Sequence, residues 1–327
     1  MIIEQLKESG LKGRGGAGFP TGLKWEAVKN APGDTKYVVC NVSEGEPAVA
    51  KDGWLLEHAA QTVIDGVALA MVTVAAARGY LYLRKDYYDK FKTKLQKLVE
   101  GKNIELFREP CGYLGGEETT LLEVIEGHRA EPRLKPPYPT TSGLFGCPTI
   151  INNCETFYSA AKIAAGEYKQ TRFYTLFGVK KPGVYELPES LTMEQVLRET
   201  GNYPAFDFFV QAGGGASGAI MTKEELGVVT PGAGSIVVHD EKKTDPRALM
   251  KKWARFFIDE NCGKCVPCRE GVYRLNEILA RPKFDEPGTR DIVALLKDAS
   301  YCPFGKGVAN AFETLLDKIW TKTTKKQ

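Results

Sequence analysis

The sequence predicts an α/β chain in three parts: a parallel sheet interleaved with helices, a small β-β-α-β module, and a helical end. Three observations predict it. Between Lys36 and Glu126 short apolar runs alternate with helix-periodic segments, the order that builds parallel α/β sheets. From Phe173 to Gln211 two alternating runs, a helical pattern and a third run follow one another. From Asp245 onward the pattern is helical and is interrupted by clustered cysteines. The parts divide at 1–168, 169–248 and 249–327, and a chain of 327 residues suffices for two or three domains with a sizeable core.

Composition excludes several classes. The formal net charge is only +3, which gives no case for nucleic acid, and the basic tail Lys322 to Lys326 reads as a frayed end. Ala59 to Ala77 is the most apolar long window, but Asp65 and Gly66 interrupt it and Glu57, His58 and Arg78 flank it. A buried helix is expected there rather than a membrane span, which asks for about 20 clean apolar residues. The N-terminus has no basic region followed by an apolar core, so no secretory signal is expected. Eight cysteines, unevenly placed, then favour metal binding over disulfides.

In chain order, Ile2 to Ser9 reads as a short helix. Gly13-Arg14-Gly15-Gly16-Ala17-Gly18-Phe19-Pro20-Thr21-Gly22-Leu23-Lys24-Trp25 follows. Glycines expose bare backbone amides, successive amides form anion-binding nests, and Lys24 adds a point charge. Gly13, Gly15 and Gly18 fit G-x-G-x-x-G, but the dinucleotide fingerprint must follow a strand, and a helix precedes this loop. Standing alone, it leaves a flexible surface loop as the lesser alternative. Gly22 to Lys29 reads as a helix with Thr21 placed to cap it. Lys36 to Val42 reads as a buried strand running into Ser43-Glu44-Gly45-Glu46-Pro47, and ligands of open α/β sheets bind past the carboxyl ends of strands. Trp54 to Arg78 reads as one long helix, Tyr80 to Leu83 as a strand, Tyr87 to Val99 as an amphipathic helix and Ile104 to Phe107 as a third strand.

Cys111-Gly112-Tyr113-Leu114-Gly115-Gly116-Glu117-Glu118-Thr119 then leads into a helix from Thr119 to Glu126. Two acids at a helix start usually complement the helix dipole; beside two glycines and a tyrosine they also suit a cofactor shelf. Arg133 to Pro148 is proline-rich and irregular and carries Lys135 and Tyr138. Asn152-Asn153 opens a helix with Thr156 on its first turns, and asparagine as an N-cap is the plain explanation.

In the middle part, Phe173 to Val179 and Gly183 to Leu187 alternate like paired strands about Lys181-Pro182-Gly183. Leu191 to Glu199 is helical, Phe206 to Gln211 is a strand, and Ile236 to Val238 is the last strand. This order suggests a small ubiquitin-like module. Gly213 to Gly218 is glycine-rich but carries no charged residue, so a close-packed turn is expected.

In the end part, Leu249, Trp253, Phe256 and Phe257 fall on one side of a helix. Cys262, Cys265 and Cys268 form C-x-x-C-x-x-C, and Cys302 follows much later before Pro303. That spacing is a strong iron–sulfur pattern, with structural zinc and a redox disulfide as alternatives; zinc ordinarily draws on two separated pairs, and the second pair is lacking. Lys264 and Arg269 would offset cluster charge. Cys40, Cys111, Cys147 and Cys154 lack ligand spacing, and Cys40 and Cys154 read as buried small hydrophobes.

These motifs together carry a resemblance. The glycine run, Asn41-Val42-Ser43-Glu44, Gly116-Glu117-Glu118-Thr119, Lys135-Pro136-Pro137, Asn152-Asn153 and the late cysteines are similar to the NADH-binding flavoprotein subunit of respiratory complex I, shared with NAD-linked hydrogenases and formate dehydrogenases. The resemblance spans nearly the whole chain. It implies a Rossmann-like FMN and NADH domain, a β-grasp domain and a helical bundle with a 4Fe-4S cluster. It implies FMN contacts at Gly13, Gly15, Gly16, Lys24, Asn41, Ser43, Glu44, Gly116, Glu117, Asn152, Asn153 and Thr156. It implies NADH contacts at Phe19, Glu46, Tyr113, Glu118, Lys135 and Tyr138, and cluster ligands at Cys262, Cys265, Cys268 and Cys302.

The implied activity is hydride transfer from NADH to FMN, or the reverse to NAD+, with single electrons leaving through the cluster and no side-chain acid or base as catalyst. Glu46 and Glu118 would repel a 2′-phosphate, so NAD(H) is expected over NADP(H). Implied partners are a thioredoxin-like 2Fe-2S subunit and a larger iron–sulfur subunit, in a cytoplasmic complex or one peripheral to a membrane. The competing interpretation is a non-catalytic iron–sulfur scaffold that has lost flavin. The sequence departs from the family where aspartate is common, at Ser43, where cysteine is common, at Gly115, and near Ala27, where an aromatic is frequent. It also begins nearer the glycine run than the family usually does, so contacts from an N-terminal extension are not expected. Nothing in it binds hydrogen, formate or quinone.

Overall fold

A computed structural model describes residues 1–321; the basic tail Lys322 to Lys326 lies outside them. The chain divides into two compact units, one of Met1–Gly45 with Ala50–Phe173, the other of Glu46–Val49 with Tyr174 onward.

The first unit is built on a parallel sheet. Its strands are β1 (Tyr37–Val42), β2 (Arg78–Leu83), β3 (Ile104–Arg108) and β4 (Thr149–Asn153), in the order β3-β2-β1-β4. β1 and β2 are buried almost throughout, as parallel strands covered on both faces must be. One cover comes from α4 (Ala60–Val74) and α7 (Cys154–Ala164), which pack closely together. Their approach is set by Gly66, where any Cβ would run into the Phe157 carbonyl. The other cover is α6 (Glu118–Ile125), whose Leu121 and Leu122 cluster with Val39, Tyr82, Leu144 and Ile151. Also in this unit are α1 (Ile2–Glu8), α2 (Thr21–Asn30), α3 (Lys51–His58) and α5 (Lys85–Val99).

Several local expectations are corrected. The long helix from Trp54 to Arg78 is two helices, α3 and α4, bent by 97° at Ala59, and Arg78 already belongs to β2. Thr21 does not cap α2: it lies inside the helix, Pro20 holds the N-cap position, and no side chain caps it. Asn152 and Asn153 do not open a helix; they end β4, a strand the sequence reading did not include, and only Asn153 caps α7, accepting from Glu155 N. No single helix among the described residues is long and apolar enough to cross a membrane.

The second unit holds a mixed sheet of β5 (Thr171–Phe177), β6 (Gly183–Pro188), β7 (Phe208–Ala212), β8 (Ala219–Thr222) and β9 (Ser235–Asp240), in the order β6-β5-β9-β7-β8. β9 runs parallel to β5 and antiparallel to β7, which is the arrangement expected of a β-grasp. α8 (Met193–Glu199) fills the core with Met193, Val196 and Leu197. β8 escaped the sequence reading because four residues after a glycine run carry little pattern. The same unit includes α9 (Pro246–Asp259), α10 (Val266–Ala280), α11 (Glu286–Ala299) and α12 (Pro303–Leu315). Proline stands in the first turn of all four, where its missing N–H costs nothing.

Candidate functional site

In the order β3-β2-β1-β4 the chain reverses direction across the sheet between β1 and β4. Ligands of open α/β sheets bind at such a switch point, past the carboxyl ends of the strands. Asn41, Ser43 and Glu44 emerge from β1 there, and Asn152 and Asn153 end β4, with Asn41 paired in register with Asn153. Asn41 Nδ2 donates to the Gly116 carbonyl (2.8 Å), and Asn41 Oδ1 accepts from Ser43 N (3.0 Å). The Ser43 hydroxyl donates to the Glu109 carboxylate. A Cβ at 116 would lie 2.8 Å from Ser43 O, so the two segments touch only because 116 is glycine.

The glycine loop closes on the same place. Gly13 N donates to Phe19 O (2.8 Å), and Arg14 N donates to Thr156 Oγ1 (2.9 Å) on the first turn of α7. Gly16 and Gly18 take φ of +116° and +66°, and a Cβ on either would meet nothing within 4 Å. The loop therefore offers bare backbone to open space, a cradle that side chains do not fill. A ladder of charge stands beside it. Lys24 Nζ donates to Ile151 O (3.0 Å) and lies 3.7 Å from Glu118. Lys135 Nζ reaches Glu118 (2.7 Å) and Glu117 (3.1 Å). Glu117 is also the N-cap of α6, accepting from Thr119 N and Thr120 N, so the helix-dipole explanation applies to it as well.

Burial, helped by Lys135, lowers the Lys24 pKa although Glu118 opposes this. Burial would raise Glu118, but Lys24 and Lys135 more than reverse it and hold its pKa low. The set is a pair of cations that an anionic ligand can compete for. Bare amides, two lysines and flanking Asn and Ser groups fit a flat, phosphorylated ring system such as FMN.

Other residues named from the sequence are placed but already engaged. Asn152 Oδ1 accepts from Trp25 Nε1 (3.0 Å). Asn153 is tied to Lys51 Nζ (2.8 Å) and Asp52 (2.6 Å). Glu44 turns its buried carboxylate to Asp52 N (3.0 Å) and the Tyr87 hydroxyl (2.7 Å). Burial, then the charge of Asp52, raises the Glu44 pKa to about 7. Phe19 and Tyr138 are exposed aromatics, and Tyr113 starts a short 3-10 turn, Tyr113–Gly116, packed against Gly45.

Glu46 belongs to the second unit, where it accepts from Ala216 N (2.8 Å), Ser217 N (3.0 Å) and Ser217 Oγ (2.9 Å). The Gly213 to Gly218 loop is thus an anion-binding turn satisfied by a carboxylate from elsewhere in the sequence. The turn is close-packed, as expected from its glycines, and the anion its amides hold is a carboxylate of the chain itself.

Sequence reasoning missed the buried centre beneath the first site. Lys51 is enclosed, with Asp52 at 2.7 Å and Glu155 at 3.1 Å. Burial alone would lower Lys51, and the two carboxylates reverse this and keep it charged. The signal was a Lys-Asp pair entering an apolar helix. It also missed Arg84, which bonds the Glu44 carbonyl, and Glu109, which is fully buried. Each directly follows a parallel strand, so the carboxyl-end rule could have found both.

The late cysteines converge in the second unit. Cys265 is the N-cap of α10, Cys268 lies on its first turn, and Cys302 is the N-cap of α12. Two helix N-termini thus face the thiols, which favours negative charge there. Burial pushes the Cys268 thiol up to about 12, and Cys265, Cys302 and Cys262 add to it, as four converging thiols should before a metal takes their protons. Asn261 Nδ2 donates to Cys268 Sγ (3.2 Å). The buried Ser300 Oγ has no partner and stands where a Cβ on Gly305, 3.3 Å from Cys268 Cβ, would fall. A hydroxyl donor beside Cys268 fits a sulfur-rich cluster. Arg269 is spent on Gly263 O (3.0 Å) and Glu270 (2.9 Å), and Lys264 lies over the Tyr301 ring. Cys40 and Cys154 are buried with their thiols pushed well up by desolvation.

Comparison with known proteins assigns a family to both stretches of chain. Residues 6–162 match the Nuo51 FMN-binding domain, and residues 248–326 match the NADH-ubiquinone oxidoreductase-F iron-sulfur binding region. The chain is 33% identical to an NADH-quinone oxidoreductase subunit of Rhizobium meliloti (strain 1021), covering 96% of this chain and 86% of that one. It is 33% identical to the HndC subunit of the NADP-reducing hydrogenase of Solidesulfovibrio fructosivorans, over 97% of this chain and 74% of that one. A crystal structure of an NAD+-reducing NiFe hydrogenase in the H2-reduced state superposes with a TM-score of 0.88 at 29% identity. The match covers 97% of this chain and 61% of that one, so the hydrogenase chain is considerably longer.

Proposed function

The chain belongs to the family of NADH-binding FMN and 4Fe-4S electron-transfer subunits of complex I-type NADH-quinone oxidoreductases, and from that premise we propose how its own residues divide the work. The scaffold alternative is not favoured. When bound, FMN supplies the exchange between a two-electron hydride and single electrons, and the cluster carries the single electrons onward.

The glycine loop, through Gly13, Gly15 and Gly16, binds and orients the flavin with bare amides, and Lys24 offsets phosphate charge. Asn41, Ser43 and Gly116 form the wall at the end of β1, joined to one another by hydrogen bonds. Asn152, Asn153, Thr156, Glu44 and Glu117 set that wall's shape more than they offer free groups, because each is already bonded within the protein. Phe19, Tyr113 and Tyr138 supply rings on which the nucleotide stacks. Glu118 and Lys135 meet its ribose and phosphates, while Glu46 is held by Ala216 and Ser217 within the second unit. No side chain is assigned as acid or base; the protein contributes orientation and exclusion of water. Cys262, Cys265, Cys268 and Cys302 hold the cluster.

The 1–168, 169–248 and 249–327 division, NAD(H) as the preferred nucleotide, iron–sulfur partner subunits including a thioredoxin-like 2Fe-2S protein, and a cytoplasmic location complete the proposal. The carboxylate at 118 supports NAD(H), since it would repel a 2′-phosphate.

The observation that carries the reading is the meeting of the glycine loop, the ends of β1 and β4 and the Lys24–Glu118–Lys135 ladder at one switch point. The test is anaerobic: purify the chain with its co-purifying subunits, quantify flavin and iron, then add NADH or NADPH and record visible and EPR spectra. Flavin bleaching and a reduced-cluster signal with NADH are expected. Iron without flavin, and silence with NADH, would overturn the reading; a stronger response to NADPH would overturn the nucleotide preference.

A further inference from the structure

Ser43 and Gly115, the two positions where the resemblance implies aspartate and cysteine, both lie against Glu109. Glu109 follows β3 and is fully buried. Its backbone N donates to Leu83 O (2.9 Å), which fixes it at the carboxyl end of the sheet. One carboxylate oxygen takes the Ser43 hydroxyl. The other lies 2.6 Å from where a Cβ on Gly115 would stand, and Cys111 Sγ lies 2.7 Å from the same point. A side chain at 115 is therefore excluded by an acid and a thiol that already fill its space. Tyr82 lies on the far side of Cys111, its hydroxyl 3.8 Å from the sulfur. From Glu109 the hydrogen bonds run through Ser43 to Asn41 and on to the Gly116 carbonyl, the wall assigned above to the flavin.

Burying a carboxylate is expensive, and a serine with a fully buried glutamate is a costly way to fill a strand end if packing were the only need. We propose that Glu109 is an electrostatic positioning residue of the flavin site: it supplies from β3 the carboxylate that Ser43 does not supply from β1, while Cys111 supplies the thiol that Gly115 does not. The acid reaches the flavin wall through Ser43 and Asn41 rather than by direct contact. Ionised, that carboxylate would disfavour added electrons on a neighbouring ring and so hold the flavin's potential down. This inference rests on the flavin assignment of the first site.

The test is a potentiometric titration of bound flavin in the complex as purified, with flavin content measured on the same samples. Glu109→Gln keeps the shape and removes the charge. It is expected to shift the two-electron reduction equilibrium at least tenfold toward the reduced form, an upward shift of about 30 mV. Glu109→Gly with Ser43→Asp moves the acid back to β1 and is expected to restore the wild-type potential. Ser43→Asp alone crowds two carboxylates and is expected to loosen FMN at least tenfold.

A Glu109→Gln protein that binds FMN at the wild-type potential would overturn the inference while leaving the flavin assignment intact. So would a double variant whose losses merely add. Wild-type protein devoid of flavin would overturn the assignment itself. If Glu109→Gly does not fold, Glu109→Gln alone decides.

Discussion

Removing the buried ammonium under the switch point should unbalance the whole first unit. Lys51→Met keeps a similar length and takes away one charge. Asp52 at 2.7 Å and Glu155 at 3.1 Å would then face each other without their shared cation, with almost no solvent to screen them. Breaking a buried pair by deleting one partner costs about 3–5 kcal/mol, because the other charge is stranded. For a unit of this size each kcal/mol lowers the melting temperature by about 2–4 °C, so a fall on the order of 10 °C is expected at pH 8.

The deficit has a definite pH dependence. Without the ammonium, the folded-state pKa of a stranded carboxyl rises above its unfolded value. Such a group contributes stability below its unfolded pKa and loses it as pH rises through the folded pKa. The variant's deficit should therefore shrink between pH 8 and pH 5.5. Lys51 itself is raised above 10.5 in the native protein, so the stability it contributes is complete below pH 10.5 and is lost only as pH climbs beyond it. Calorimetry across pH 5.5–8 is the assay, with Lys51→Met/Glu155→Gln expected to recover at least half of the loss. A single variant melting within about 2 °C of wild type at pH 8, or a deficit that stays constant on acidification, would refute the reasoning.

Two further outcomes are expected. Cys302→Ser removes the proposed distant ligand of the cluster, so iron content and the reduced-cluster EPR signal should fall by at least fourfold while flavin content stays unchanged; equal iron in variant and wild type would exclude Cys302 as a ligand. Glu44 has its pKa raised from 4.5 to about 7, so the stability linked to its proton is complete below pH 4.5 and is lost as pH rises toward 7, amounting to about 3 kcal/mol. Glu44→Gln should flatten the melting-temperature profile between pH 5 and 7.5, and an unchanged slope there would mean that Glu44 is ionised in the native site.

Much of both sites was legible because their chemistry is local. C-x-x-C-x-x-C with a later Cys-Pro is a ligand pattern written in spacing alone, and the thiols at 262, 265, 268 and 302 do converge. The strand–helix alternation likewise gave a parallel sheet, and its strands β1 to β3 fall within two residues of the expected bounds. The reading failed where a local pattern was silent about the third dimension. An apolar window cannot show that α3 and α4 turn by 97° between His58 and Ala60. A strand of five residues ending in two asparagines looks like a helix cap, and Asn153 is indeed both a strand end and a cap.

What the sequence determined by itself is therefore the inventory: a bare-amide loop with a lysine, acids and asparagines at strand ends, four cysteines at cluster spacing, and the order of elements that carries them. What only the tertiary structure decided is which of those groups are spent. Lys51 meets Glu155 more than one hundred positions away, Arg14 N meets the Thr156 hydroxyl from similarly far, and Glu46 is claimed by amides of Ala216 and Ser217. Burial and pairing are non-local quantities, since a charge's environment depends on what the fold lays against it. For that reason the identities of the polar groups could be read from the chain, while their availability was set by packing.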